Sequence, residues 1–391
     1  ISVRGRDFSF DPRTMELRAI DSTAQHGMSF DDWGRKFICS NSSHLQTVMY
    51  DSKYAGRNPH YTMPSPRISA AADGAAAEVY RLSPDEPWRI VRTRWRATGA
   101  VRGAVEGGGR VSGYFTAATG VTIYRGSAYG DGFLGNAFIG DAGSNLIHRK
   151  KIRYQGVQPV GERPADEQKV EFIASTDNWF RPVQFANAPD GCLYVADMYR
   201  ETIEHPWSIP EAIKKHVDLN SGNDRGRIYR IVPDGFKQPK APNLKKASTK
   251  ELVATLAHSN GWQRDTAARL LFERQATEAK AALTKSAKES SSAVGRAHSL
   301  HTLHGLKQLD FETVTSRLDD SDPMVVAHAI KLTEEFATKG QFPSAEKIQS
   351  LAGHPDKFTR YQLALTLGTA PYPGRDNALA SLAQTDGDDK W

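Results

Sequence analysis

Gly135-Asn-Ala-Phe-Ile-Gly-Asp141, followed three residues later by Asn145-Leu-Ile-His-Arg-Lys-Lys-Ile152, is the stretch that decides the fold class. With Gly120-Val-Thr-Ile-Tyr124 before it, this makes three short runs of branched and aromatic residues, which suit a pleated surface. The runs are cut apart by Gly, Asn and Asp, as turns require. A second copy reads Pro182-Val-Gln-Phe185, Pro189-Asp-Gly-Cys-Leu-Tyr-Val-Ala-Asp197 and Gly226-Arg-Ile-Tyr-Arg-Ile-Val232. Both middle runs end on an aspartate. The copies differ in that an insertion, Met198 to Arg225, follows Asp197.

Working outward, a third copy lies upstream: Gly27-Met-Ser-Phe30, Lys36-Phe-Ile-Cys-Ser-Asn41 and His44 to Tyr50. Residues 5–12 and Met15 to Ile20 read as a hairpin, and Gly74 to Ser83 with Trp88 to Trp95 as paired strands of a further unit. The segment Asp51 to Ser69, carrying Arg57-Asn-Pro-His60, reads as a loop laid over one face, and Gly99 to Arg110 as a connector. A three-run meander repeated at this length predicts a β-propeller. Four blades or parts of blades fit into residues 1–232, fewer than usually close a ring, so the expectation is that the remaining blades precede Ile1 or come from a separate fragment.

After a Pro- and Lys-rich linker, residues 233–247, the apolar period changes from two to about 3.6. Arg264, Arg296, Val326 and Arg360 head similar patterns at steps of about thirty residues, each after a short helix and a polar turn. Paired helices repeating at this period predict an all-α solenoid over residues 248–391.

The composition narrows the function classes. Net charge is +6 over 391 residues, and the basic excess is spread over both halves, so no concentrated surface for nucleic acid is present. No apolar run reaches the ~18 residues of a membrane span. Cys39 and Cys192 both sit in middle runs, where a thiol behaves as a small buried apolar group. No Cys-x-x-Cys-His occurs, so this chain carries no covalent haem of its own.

Longer motifs carry a resemblance. Gln25-His-Gly-Met-Ser-Phe-Asp-Asp-Trp-Gly34, Tyr124-Arg-Gly-Ser-Ala-Tyr129, Gly140-Asp-Ala-Gly-Ser-Asn-Leu-Ile-His-Arg149, Asp177-Asn-Trp-Phe-Arg-Pro-Val183, Asp224-Arg-Gly-Arg-Ile-Tyr-Arg230 and Asn260-Gly-Trp-Gln-Arg-Asp-Thr-Ala-Ala-Arg-Leu-Leu271 look like the large PVC-type bacterial membrane-bound dehydrogenases. Those proteins join a glucose/sorbosone-dehydrogenase-like propeller to HEAT-type repeats and usually to a cytochrome c domain. The resemblance implies an oxidoreductase of the sugar or alcohol dehydrogenase type that passes electrons to a cytochrome c domain or partner. It implies a PQQ-type quinone or Ca2+ as cofactor, a sugar substrate, and a periplasmic, secreted or cell-envelope location. The alternative from another class is a non-catalytic propeller–solenoid scaffold that binds protein or polysaccharide.

Candidate site residues follow from topology and from the resemblance. Asp141 and Asp197 end equivalent strands and therefore face one side, where blade loops converge. Asp177 and Arg181 stand just before the first strand of the last copy. The quinoprotein likeness puts a basic cofactor-binding group there, and a guanidinium suits a carboxylate-bearing quinone. The insertion adds Arg200, His205 and Arg225 to the cofactor-binding set, with a short helix from Pro210. His26, by its position before a first strand, is the expected general base, and Asp197 a second proton acceptor. The blander expectation is that the aspartates satisfy turn amides and that Arg181 pairs with one of them. His298, His301 and His304, at helical spacing, read as a packed or solvated helix face.

Overall fold

The branched and aromatic runs form strands where the alternation predicts them. A computed structural model describes residues 2–20, 22–55, 58 and 60–391. They divide into two units, 1–52 with 64–154 and 158–238, and 53–63 with 155–157 and 239–391. The first is β-rich. It holds β1 (Asp7–Phe10), β2 (Leu17–Ile20), β3 (Gly27–Phe30), β4 (Lys36–Ser40), β5 (Ser43–Val48), β6 (Arg67–Ser69), β7 (Ala118–Ile123), β8 (Ala137–Asp141), β9 (Leu146–Gln155), β10 (Gln158–Glu162), β11 (Ile173–Ala174), β12 (Pro182–Asn187), β13 (Leu193–Asp197) and β14 (Arg227–Ile231). The strands make open sheets: β1-β2, β3-β4-β5-β6, β7-β8-β9-β10 with β11 on β9, and β12-β13-β14.

The first strands of the three larger sheets lie against one another. The Gly120 amide donates to the His26 carbonyl at 2.8 Å, and the Thr119 hydroxyl to the Pro182 carbonyl at 2.7 Å. A Cβ on Gly120 would meet the Gln184 backbone at 2.8 Å, so this residue's absent side chain sets how near β7 and β12 come. The core fills the spaces between sheets: Phe37, Leu45, Val121 and Ile139 in one cluster, Tyr124, Phe138, Phe185 and Val195 in another. Burial of these apolar faces supplies the main driving force. Both thiols are buried, and burial pushes Cys39 and Cys192 up to about 11.

Gly126 is where packing is tightest. The Tyr124 hydroxyl donates to the Gly191 carbonyl at 2.6 Å, and a Cβ on Gly126 would stand 2.1 Å from that same oxygen. Gly126→Ala is expected to lower stability by about 1–3 kcal/mol, the cost of overpacking. Urea unfolding would show it as a lower midpoint at unchanged slope; an unshifted midpoint would contradict this geometry.

Two sequence readings fail here. Trp88 to Trp95 is not a strand paired with Gly74 to Ser83 but the core of helix α1 (Pro87–Ala97), with Pro87 in the first turn, where its missing N–H costs nothing. Trp88 packs with Ile209 and Ile213, against which Trp95 also lies, so the 198–225 insertion is held by this helix. Gly74 to Ser83 contributes only an isolated bridge, Glu78 to Tyr114. The insertion's own short helix, expected from Pro210, is α2 (Glu211–Lys214), with Pro210 at the position just before it.

The second unit is helical: α3 (Thr249–Thr255), α4 (Gly261–Glu273), α5 (Lys280–Glu289), α6 (Ala293–Gly305), α7 (Phe311–Thr315), α8 (Pro323–Ala337), α9 (Ala345–Ala352), α10 (Lys357–Leu367) and α11 (Arg375–Asp386). It begins with a full capping box, Ser248 with Glu251. The helices α4, α6, α8 and α10 start with Asn260, Ser292, Asp322 and Asp356, each accepting a first-turn amide. The residue four places after each cap is Arg264, Arg296, Val326 and Arg360. Each arginine reaches back to the carbonyl six residues earlier, His258 at 2.6 Å, Ser290 at 2.7 Å and His354 at 2.5 Å. Those bonds tie the polar turn to the following helix, which is why the pattern is visible in sequence. Part of the 51–69 segment belongs to this unit. The Tyr54 hydroxyl donates to Glu334 at 2.6 Å, while Arg57 and Pro59 lie outside the described residues. His301 bonds His328 of α8 at 2.8 Å, and His304 pairs with Glu335 at 2.9 Å.

Candidate functional site

Arg181 stands between the two strand ends: its amide donates to Asp197 and its guanidinium reaches the carbonyl of Ala142, next to Asp141. Asp197 accepts the Arg181 amide and the Tyr199 amide, both at 2.8 Å. Asp141 accepts the amides of Gly143 at 3.0 Å and Ser144 at 3.1 Å, and burial pushes its carboxyl above the usual range. Arg181 is fully buried. Its guanidinium donates to the carbonyls of Ala142 at 2.9 Å, Arg200 at 2.9 Å and Glu201 at 2.6 Å, and pairs with Glu86 at 3.1 Å. Burial pulls its pKa down and Glu86 opposes that pull. The partner of Arg181 is thus Glu86, the residue that caps α1, rather than either aspartate.

The other candidates lie apart from an enclosed site. Asp177 is exposed and accepts the Trp179 amide at 2.9 Å. Arg200 donates to the Gly222 carbonyl, and exposed Arg225 lies over the Trp179 ring at 5.6 Å. His205 is exposed, its Nδ1 accepting the Trp207 amide at 3.2 Å. The His26 side chain is exposed as well, while its peptide joins β4 to β7 through Cys39 and Gly120.

This set does not fit the quinone or the cation it was expected to hold. A carboxylate-bearing quinone needs guanidinium donors, and those of Arg181 are spent on protein oxygens. A calcium ion needs several converging oxygens, and Asp141 turns its carboxylate to backbone amides. Among the described residues no three His, Cys, Asp or Glu side chains form such a group.

A different cluster has the character of a reactive site, and sequence reading missed it. His44 on β5 and His148 with Lys150 on β9 face inward at alternate strand positions, all fully buried. His44 Nδ1 lies 3.1 Å from the Ala75 carbonyl, which only accepts, so that nitrogen carries the hydrogen. His148 Nδ1 lies 2.7 Å from Glu171, whose other oxygen takes Arg163 at 3.1 Å and the Tyr80 amide at 3.0 Å. In both rings Nε2 is left as a lone-pair acceptor, buried and without a hydrogen-bond partner. Phe115 stacks on His44 at 4.3 Å and meets His148 edge-on at 5.3 Å. Lys150 grips Asp73 at 2.6 and 2.7 Å, and His44 Nε2 stands 3.8 Å from the same carboxylate.

The electrostatics follow from burial beside cations. Burial, then the Lys150 charge, pulls His44 down to about 3. Burial, with Lys150 and Arg163, holds His148 well below the ordinary imidazole range. Burial lowers Lys150 against the pull of Asp73, and raises Glu171 against that of Arg163. Burial would raise Asp73, but the Lys150 charge and hydrogen bond outweigh it and leave the carboxyl low. Asp73 and Arg163 line one open cleft of about 590 Å3, Glu171 a second of about 710 Å3, and Tyr80 both. Both imidazoles are held neutral and oriented, one by a carbonyl and one by a carboxylate, each with a free lone pair, and while the site is dry burial keeps them weak bases. The available signal in sequence was a histidine followed two places later by a second polar residue on the same face of a strand, His44-x-Gln46 and His148-x-Lys150.

No curated protein and no solved structure matches the chain. A family model described as a domain of unknown function, DUF7133, matches residues 2–235. That is more than half of the chain and takes in the open sheets, α1 and the buried imidazole cluster, so the protein belongs to the DUF7133 family.

Proposed function

We propose that the chain is part of an oxidoreductase of the sugar or alcohol dehydrogenase type, with this β-rich unit handling the proton of the substrate hydroxyl. The observation that carries it is the pair of neutral, buried imidazoles behind Asp73, which lines one cleft, and Glu171, which lines another. Oxidising a hydroxyl removes a proton as well as two electrons, and an oriented imidazole assists that removal once entry of the substrate relieves the burial that lowers its basicity. His148, aligned by Glu171, is the proposed base in place of His26. Opening the 72–82 segment would admit a hydroxyl to it. The redox group, a PQQ-type quinone or a haem, is assigned to a cytochrome c domain, to further blades or to a partner, because the Arg181 set does not accommodate it.

The same reading takes the open sheets as consecutive blades of a propeller and the helix pairs as HEAT-type repeats. It is supported by the apposition of β3, β7 and β12 and by the recurring cap-plus-arginine pattern. The exposed apolar residues Phe8, Phe10 and Ile228 on the outer strands support a neighbour supplying further blades. A periplasmic, secreted or cell-envelope setting suits a cytochrome c partner.

The second reading, a non-catalytic scaffold for protein or polysaccharide, is favoured by Arg181 spending four of its five guanidinium donors on protein oxygens. One measurement separates them. Purified protein is scanned for quinone or haem absorbance and assayed for dye-linked oxidation of sugars, with and without added cytochrome c and quinone. Turnover that His148→Gln lowers at least tenfold, with the fold intact, supports the oxidoreductase. No turnover under any of these conditions sinks it and leaves the scaffold.

A further inference from the structure

Between Ala72 and Ala77 the chain runs Asp73-Gly-Ala-Ala76 past Lys150 and His44. Its two ends are fixed. The Ala72 amide donates to the Gly161 carbonyl at 3.0 Å, and the Ala77 carbonyl accepts the Phe115 amide at 3.0 Å. The four residues between are all exposed, whereas His44 and Lys150 behind them are fully buried. We propose that residues 73–76 form a lid that opens without unfolding of the surrounding sheets, with the Asp73–Lys150 ion pair as its latch. This rests on the reading of the cluster as a proton-handling site and adds the way in to it.

Only two contacts hold the segment inward among the described residues. Asp73 takes both bonds from Lys150, at 2.6 and 2.7 Å, and the Ala75 carbonyl lies 3.1 Å from His44 Nδ1. The bond from the Gly74 amide to the Ala71 carbonyl, at 3.2 Å, closes a turn within the chain itself. Asp73 is the one side chain here larger than a methyl group, and neither Ala75 nor Ala76 joins the apolar cluster that takes in Ala70 and Ala77. Lifting the segment therefore exposes little apolar surface, and stretches of that kind open at low cost. Ala72, Asp73 and Ala76 also line the cleft of about 590 Å3, so the lid is a wall between that cleft and His44. His44 Nε2, buried and without a hydrogen-bond partner, stands 3.8 Å from the Asp73 carboxylate, so its lone pair lies next to the latch. Closed, the latch carries the desolvation cost of a buried ammonium; open, water hydrates Lys150 and offsets the lost attraction. The same water relieves the burial that lowers the basicity of His44.

Diethyl pyrocarbonate acylates a neutral imidazole nitrogen that solvent can reach. The full chain is treated with it at neutral pH, at several urea concentrations below the unfolding transition, and each histidine is followed by peptide mass spectrometry. Exposed His26 and His205 serve as references. His44 should react more slowly than these, at a rate that urea leaves unchanged, because a four-residue opening exposes little surface. Asp73→Asn should speed the reaction at least tenfold. Gly74→Ala should speed it severalfold, since Gly74 sits at φ +82°, where a side chain strains the closed turn, and its Cβ would meet nothing within 4 Å. That second variant leaves the core untouched and decides the matter if Asp73→Asn does not fold. A rate that climbs with urea as steeply as global unfolding, no reaction of His44 in the native protein, or an unchanged rate in the folded variants overturns the proposal. The readout needs no turnover, so the lid and the oxidoreductase reading fail separately.

Discussion

Arg181→Ala is expected to lower the stability of the β-rich unit by about 3–5 kcal/mol, the usual cost of breaking a buried ion pair by removing one partner. The loss exceeds that of a single contact. The change leaves Glu86 with the longer approaches of Arg89 and Arg81, and strips donors from the carbonyls of Ala142, Arg200 and Glu201. Those carbonyls join the end of β8 to the start of the insertion, so the insertion should loosen as well. Denaturant unfolding followed by tryptophan emission measures it. A drop below about 1 kcal/mol would show that Arg181 is held for something other than the fold.

Between pH 7 and pH 5 the β-rich unit should lose about 2–4 kcal/mol of stability through His44 and His148. The sign follows from proton counting. Both imidazoles stay neutral in the fold because burial beside Lys150 and Arg163 depresses them, while in the unfolded chain they take up protons below about 6.5. The unfolded state then binds more protons, so stability rises with pH across that window, by up to about 1.4 kcal/mol per pH unit for each ring. Glu171 acts the other way: its raised carboxyl lets the fold take up a proton first, which offsets part of the loss near the lower end. Asp73, held low by Lys150, faces His44 and stays ionised throughout. His44→Phe keeps a ring stacked on Phe115 and removes one titrating group, so it should roughly halve the slope. An unchanged slope would place the acid sensitivity elsewhere.

Much of the architecture was legible because it depends on local physics. The three-run meanders became β3-β4-β5, β7-β8-β9 and β12-β13-β14 almost at the quoted boundaries, since period-two alternation and Gly/Asp turns act within a few residues. The helical half was readable for the same reason: each cap and the arginine four residues after it satisfy groups in one turn. Trp88 to Trp95 misled because Trp, Ile, Val and Thr favour strands, yet Trp88, Val91 and Trp95 recur at helical spacing behind Pro87.

By itself the sequence determined which runs are strands and helices, and that Asp141 and Asp197 end equivalent strands, because backbone geometry and turn chemistry are local. Only the tertiary structure decided what those strand ends do. Glu86 and Arg181 are 95 residues apart and meet through the placing of α1, which turned an expected ligand-binding arginine into a buried ion pair. His148 and Glu171 belong to one repeat, but His44 and Asp73 come from another. Each histidine alone is one polar residue among several in its strand. Sheet packing puts them in one dry space with Lys150, and there the loss of water, not the residue type, holds them neutral.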